Sequence, residues 1–230
     1  MISIIPVTGI PEVRTGDVLA ELVDAHAALA DGDVVVVTQK VVSKAEGRLV
    51  AIDPDAAESS RRVVLDEAVR VIRQRDELII TETRHGFICA NSGVDLSNVE
   101  RGWAALLPLD SDRSARRIRD GLRARAGVEV AVIISDTFGR PWRHGVTDVA
   151  IGCAGIGAVL DLRGGVDTNG RQLRATEICV ADELASAAEL VMGKAAQIPV
   201  AIVRGVDRDW FRESSVRQEV VRPYASDLFR

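Results

Sequence analysis

Residues 34–37 read Val-Val-Val-Val and run on into Thr38 and Gln39. Consecutive β-branched residues are stiff at χ1 and suit a pleated strand. With no polar residue alternating, such a strand has both faces buried, so layers must pack above and below it. "VEVAVIIS" (128–135) and "IPVAIVRG" (198–205) read as further buried strands. Helical spacing appears between them. Leu19, Leu22, Val23 and Ala27 mark a helix over 17–30, and residues 55–75 form the longest helix candidate. "DSDRSARRIRDGLRARAG" is a basic amphipathic helix ending at Gly127, and another helix spans about 181–192 and stops at Gly193. "SIIPV", "GRLVAI" and "WAALLPLD" are strand candidates, as are "ELIITET" and "GFICA" around a turn at Arg84–Gly86. The expected class is α+β, mixed sheets with packed helices. No linker divides 1–230, so the chain reads as one unit or two closely joined subdomains.

Composition narrows the function. The chain is 47% hydrophobic but only 3% aromatic, so aliphatic side chains fill the core. A net charge of −5 argues against a general nucleic-acid binder. No apolar stretch reaches membrane-spanning length, and the first residues lack the marks of a signal peptide. Cys89, Cys153 and Cys179 are widely spaced and have no zinc-site spacing. Reduced thiols, cytoplasmic residence, and neither nucleic acid nor membrane as partner are the expectations.

There is no G-x-x-x-x-G-K-[ST], no G-x-S-x-G, and only a G-x-G fragment of a dinucleotide fingerprint in "GCAGIGAVLDLRGG", read as a packing or turn segment. His26, His85 and His144 form no base-and-nucleophile set. The chemistry gathers in "SDTFGRPWRHG" (135–145). Asp136 and Thr137 leave a buried strand together and suit a hard cation such as Mg²⁺ or Mn²⁺. Arg140 and Arg143 follow, with guanidinium forks that fit phosphate or carboxylate oxygens. The plainer alternative is a capped loop with surface ion pairs. "ANSGVDLSN" (90–98) offers Asp95 and Asn98, also common turn formers, and "TQKVVSK" offers Lys40 and Lys44. Three apolar runs, "VVVVTQK", "LIITET" and "VIISDT", end in a hydroxyl and then polar residues. Either they share one rim of a sheet, or strands simply end this way.

Five blocks, "GIPEVRTGD", "DGDVVVVTQKVVSKAEGRLV", "GVDLSNV", "SDTFGRPWRHGVTDVAIGCAG" and "TEICVADELASAAELVMGK…IPVAIVRG", come in the order found in coenzyme F420:L-glutamate ligases, which the chain resembles from about residue 3 to 205. It is most similar to the ligase half of the actinobacterial bifunctional enzymes. "DLF" near the end is similar to the junction before their flavin-binding, nitroreductase-like half, which is absent from these 230 residues. The resemblance implies a single ligase unit over 1–230, with the family's own fold, unlike P-loop or ATP-grasp ligases, and an intertwined homodimer. It implies GTP-dependent addition of L-glutamate to the deazaflavin coenzyme F420-0 through an acyl phosphate. GDP and phosphate are released, further γ-linked glutamates can follow, and Mn²⁺ or Mg²⁺ acts with K⁺. A metal-dependent nucleotide phosphohydrolase or kinase on the same scaffold is the alternative.

Carried across position by position, Asp95 and Asp136 match the family's metal-binding acids and Thr137 its hydroxyl ligand. Ile10, Pro11, Glu12, Val13, Gln39, Lys44, Asn98, Met192, Gly193 and Lys194 match nucleotide-contacting positions. Asp136, Arg140 and Arg143 are the catalytic candidates, the two arginines with His144 for the acceptor's phosphodiester or carboxylate, or for glutamate. Two positions depart from the pattern. Gln39 replaces a frequent Ser or Thr. Lys194 stands where archaeal members often carry an acid or amide that reaches a second metal. A protonated lysine cannot ligate a cation, so either that metal has one ligand fewer or Lys194 touches phosphate.

Overall fold

The Val34–Val37 run lies in the middle of a five-stranded sheet. A computed structural model of the chain describes residues 1–227; Leu228 and Phe229 of "DLF" lie outside the described residues. In chain order the elements are β1 (Ser3–Val7), α1 (Leu19–His26), β2 (Val34–Thr38), α2 (Gln39–Ala45), β3 (Leu49–Ala51), α3 (Ala57–Glu67), β4 (Ala68–Arg75), β5 (Leu78–Thr83), β6 (Ile88–Ala90) and β7 (Trp103–Ala105). There follow α4 (Ser111–Ala126), β8 (Ala131–Arg140), β9 (Arg143–Ala154), β10 (Leu160–Asp161), β11 (Glu177–Ile178), α5 (Val180–Met192), β12 (Val200–Arg204) and α6 (Val216–Glu219).

The main sheet has the order β1-β12-β2-β8-β9. Its β2–β8 pair is parallel, and the other three pairs are antiparallel. Burial on both faces follows as expected. Val35, Val37, Val132, Ile134, Val200 and Ile202 pack on one face against Leu19 and Val23 of α1 and Ile118 and Leu122 of α4. Val34, Val36, Ala131, Ile133, Ala201 and Val203 pack on the other against Leu184, Ala185 and Ala188 of α5. The chain is therefore α+β, with helices on both sides of the central sheet. The segment between α2 and α4 leaves that sheet and builds two small ones, β3-β7 and β4-β5-β6.

Two expectations are corrected. The helix expected over 55–75 ends at Glu67, and Ala68–Arg75 is a strand paired with β5. "AVRVIRQR" is rich in β-branched residues, and long-range pairing with "LIITET" overrides its helical spacing. The strand expected to end at Ser135 runs on to Arg140. It pairs through Thr137↔Asp148 and Phe138↔Thr147 in a hairpin that turns at Pro141–Trp142. The polar stretch is thus a ladder and not a loop. The G-x-G region does pack closely: a Cβ on Gly152 would lie 2.4 Å from the Ser111 backbone. Among the described residues no helix is long and apolar enough to cross a membrane. The three cysteines are free, and burial pushes each thiol up to about 12.

The C-terminal segment is fastened by Glu219. Its carboxylate accepts from the backbone N–H of Ala158 (3.1 Å) and Val159 (3.0 Å) and from Arg212 Nη2 (2.8 Å). Burial alone would raise its pKa, but Arg212 and the Val159 amide outweigh burial and hold it below the ordinary 4.5. A carboxyl depressed on folding stabilises the protein above its unfolded pKa, and that stability is lost as pH falls through the folded value. Glu219→Gln is therefore expected to cost about 1.5–3 kcal/mol near neutral pH. In thermal melts the gap to the parent chain should narrow as pH falls below about 4.5; a gap that does not change with pH would refute the assignment.

Candidate active site

One transverse row of the main sheet, Val7–Val200–Val37–Ile134–Gly152, explains how distant motifs meet. β1, β2 and β8 all exit past this row on the same rim, and β12 enters there. Ile10–Val13 follow β1, Gln39 and Lys44 follow β2, Asp136 lies two residues past the row on β8, and Met192–Lys194 precede β12. The parallel β2–β8 pairing sets Thr38 beside Ser135, so "VVVVTQK" and "VIISDT" do share a rim. "LIITET" belongs to another sheet and does not.

Side chains alternate along β8, so its polar end serves two faces. On the α5 face, Thr137 Oγ1 donates to Asp148 Oδ1 (2.6 Å) and Ser135 Oγ donates to Asp148 Oδ2 (3.2 Å). Asp148, on β9 opposite Thr137, is 3% exposed. Lys194 Nζ lies 2.9 Å from Asp148 Oδ1 and 3.0 Å from Glu189 Oε1, and donates also to Thr137 Oγ1. Burial would lower the Lys194 pKa, but these carboxylates outweigh it and raise it, so the ammonium is charged. On the opposite face, Asp136 feels the charge of Asp95. Asp95 is held in turn by Lys40 (2.9 Å) and by the Ser97 N–H (2.7 Å). Burial works to raise the Asp95 pKa, yet Lys40 and Ser97 keep it lowered.

Asp136 has no ion-pair partner among the described residues. Burial first, then the charges of Asp95 and Asp148, push its carboxyl up to about 7, against the lowering effect of the Thr137 amide and Lys194. A half-buried carboxylate with no ion-pair partner among the described residues, beside a second acid, favours a cation. Among the described residues no three His, Cys, Asp or Glu side chains form a ready metal cage. Asp95 and Asp136 supply the carboxylate oxygens that a hard cation such as Mg²⁺ prefers, so the residues present fit such an ion.

Other candidates are placed as follows. Lys44 is buried and paired with Glu12 (2.5 Å), tying α2 to the Ile10–Val13 segment. Gln39 is buried; its amide donates to Ser43 Oγ (2.6 Å) and to the Leu106 carbonyl (3.0 Å), so both its protons serve the fold. Asn98 is exposed in the loop after Asp95, at a left-handed φ of 53°. Met192 is buried at the end of α5, and Gly193 turns the chain at φ 59° so that Lys194 points back to β8. Arg140 and Arg143 are not brought to the carboxylates. They face each other at the hairpin tip, where four residues of strand carry Arg140 roughly 13 Å past Asp136. His144 is exposed beside them.

Asp148 is the site residue that inspection of the sequence missed. Its signal was one acid in an otherwise apolar strand, "VTDVAIGCA", and only cross-strand register shows that it faces Thr137.

Carboxylates, ammonium groups and a hydroxyl gathered on one rim of an α+β sheet are the arrangement of an enzyme site. The serine and cysteine residues supply no nucleophile paired with histidine among the described contacts. A family model for F420-0:gamma-glutamyl ligases matches residues 8–205. The coenzyme F420:L-glutamate ligase of Methanothermobacter thermautotrophicus is 41% identical, covering 100% of this chain and 99% of that protein. The ligase of the same name from Methanopyrus kandleri is 44% identical over 95% of this chain and 94% of its own length. That from Methanocaldococcus jannaschii is 41% identical over 92% and 90%. The chain belongs to the F420-0:gamma-glutamyl ligase family.

Asp148 organises two hydroxyls and an ammonium at once. Asp148→Asn is expected to cost about 1.5–3 kcal/mol, the range for hydrogen bonds to charged groups. A lower urea midpoint with an unchanged slope would show it; a midpoint equal to the parent's would not fit.

Proposed function

We propose that the chain adds L-glutamate to the deazaflavin coenzyme F420-0 at the expense of GTP. The observation that carries this reading is the meeting of Asp95, Asp136 and Thr137 with Lys40 and Lys194 on one rim, in a chain of this family. The γ-phosphoryl group of GTP passes to the acceptor carboxylate, giving an acyl phosphate and GDP. The glutamate amine then attacks the acyl carbon, phosphate leaves, and an amide bond forms. Such chemistry depends on positioning and charge neutralisation more than on a protein nucleophile. Mn²⁺ or Mg²⁺ on Asp95 and Asp136, with K⁺ as a helper, supplies charge neutralisation at the nucleotide phosphates when bound. Ile10–Val13, Lys44, Asn98 and Met192–Lys194 border the nucleotide around that rim, and Gln39 supports the rim from inside the fold. Further glutamates add through γ-linkages.

The exposed apolar side chains of β4 and β5, Val69, Val71, Ile72 and Leu78, support a homodimer in which this ribbon is covered. We place the enzyme in the cytoplasm, where GTP and glutamate are available.

Incubation with GTP, Mn²⁺, L-glutamate and F420-0, read by mass spectrometry, should give a ladder of glutamyl products. GTP hydrolysis without acceptor or glutamate would point to a phosphohydrolase instead. Asp136→Asn should abolish the ladder with the fold intact, and undiminished activity would remove Asp136 from the site. Arg143→Ala should raise the KM for acceptor or glutamate several-fold and leave GDP binding as it was. Unchanged kinetics would exclude Arg143 from substrate binding.

A further inference from the structure

Lys194 stands out on the rim because its ammonium lies among three oxygens of the site. Its Nζ donates to Thr137 Oγ1 and to Asp148 Oδ1 (2.9 Å), and it forms an ion pair with Glu189 Oε1 (3.0 Å). An ammonium has donors only and no acceptor, so it suits a point ringed by oxygens. The oxygens are equally committed. Thr137 gives its proton to Asp148 (2.6 Å), which turns the hydroxyl's lone pairs toward Lys194. Asp148 is almost wholly buried, and Lys194 is the cation the structure pairs with it. A hydroxyl and two carboxylates around one point are the donor set of a hard cation. Here the chain fills that point with a charge of its own.

Charge accounting on the rim agrees. Lys44 pairs with Glu12, Lys40 with Asp95, and the single ammonium of Lys194 is shared by Asp148 and Glu189. Asp136 is left uncompensated among the described residues. Among the described residues no ammonium therefore touches Asp136 on one face, whereas on the other the position between Thr137, Asp148 and Glu189 already holds one.

We propose that Lys194 is a tethered cation that occupies the Thr137–Asp148–Glu189 oxygens, so that this face of the site excludes a free metal ion. Thr137 then positions the ammonium and is not itself a metal ligand in this chain. Gly193 makes this possible, since its left-handed φ of 59° folds residue 194 back over β8 directly after α5. The inference rests on the proposed reading only for the ion at Asp95 and Asp136, and its test is a difference that does not need that ion.

The test is Mn²⁺ binding with GDP present and absent, counted from the loss of the free-ion electron paramagnetic resonance signal. The parent chain is compared with Lys194→Met, which keeps the stem and removes the charge, with Lys194→Glu, which adds an oxygen ligand, and with Lys194→Arg, which keeps a cation. Circular dichroism checks that each variant folds. The Met and Glu variants should each bind one more Mn²⁺ per chain than the parent, and the Arg variant should match the parent. The same count in the parent, Met and Glu chains would overturn the proposal. Loss of all Mn²⁺ from the parent, with one ion gained by the variants, would leave it standing and count instead against the metal at Asp95 and Asp136.

Discussion

The parallel pairing of β2 with β8 is the interaction on which the rest depends. Parallel neighbours cannot be joined by a tight turn, so the chain must cross over between them. Here the crossover holds everything from α2 to α4, including the small sheets and the Asp95 loop. The same pairing makes both strands end on one rim, with Thr38 beside Ser135. Antiparallel β1 and β12 then add their own connections at that rim. A site assembled from both ends of the chain is the geometric result, in keeping with the tendency of α/β sheets to present ligands at strand ends.

Burial sets the electrostatics. Behind the rim lie apolar layers that penalise an unpaired charge, so each carboxylate must find a partner or shift its pKa. Among the described residues Asp95 and Asp148 find ammonium groups, and Asp136 does not. The alternation of β8 divides this chemistry between two faces, Asp136 toward Asp95 and Thr137 toward Asp148 and Lys194. Two adjacent residues therefore have different duties. The hairpin extension of β8 and β9 supports this arrangement, because it fixes Asp148 opposite Thr137 by backbone register.

Much of the fold was legible in the residues. The β-branched runs foretold strands buried on both faces, and Gly127 and Gly193 foretold where α4 and α5 stop. The segment 68–75 was not legible, because its strand state depends on a partner that helical spacing cannot reveal. The polar stretch after Ser135 looked like a loop for a similar reason: its ladder to β9 is a long-range contact. In the site, Asp95, Asp136, Thr137 and Lys194 were legible as candidates from their setting and from the family blocks. Asp148 was hidden, since a lone acid in an apolar strand carries no motif.

By itself, then, the sequence determined the layers, most of the helices and strands, and the chemical types available for a site. Those follow from local stereochemistry and from the pattern of apolar residues, which a single chain displays in order. Only the tertiary structure decided which groups meet: that Lys194 lies on Thr137 and Asp148, that Asp136 has no ion-pair partner among the described residues, and that Arg140 and Arg143 stand apart at a hairpin tip. Strand register and direction decide those matters, and register is a property of two segments together.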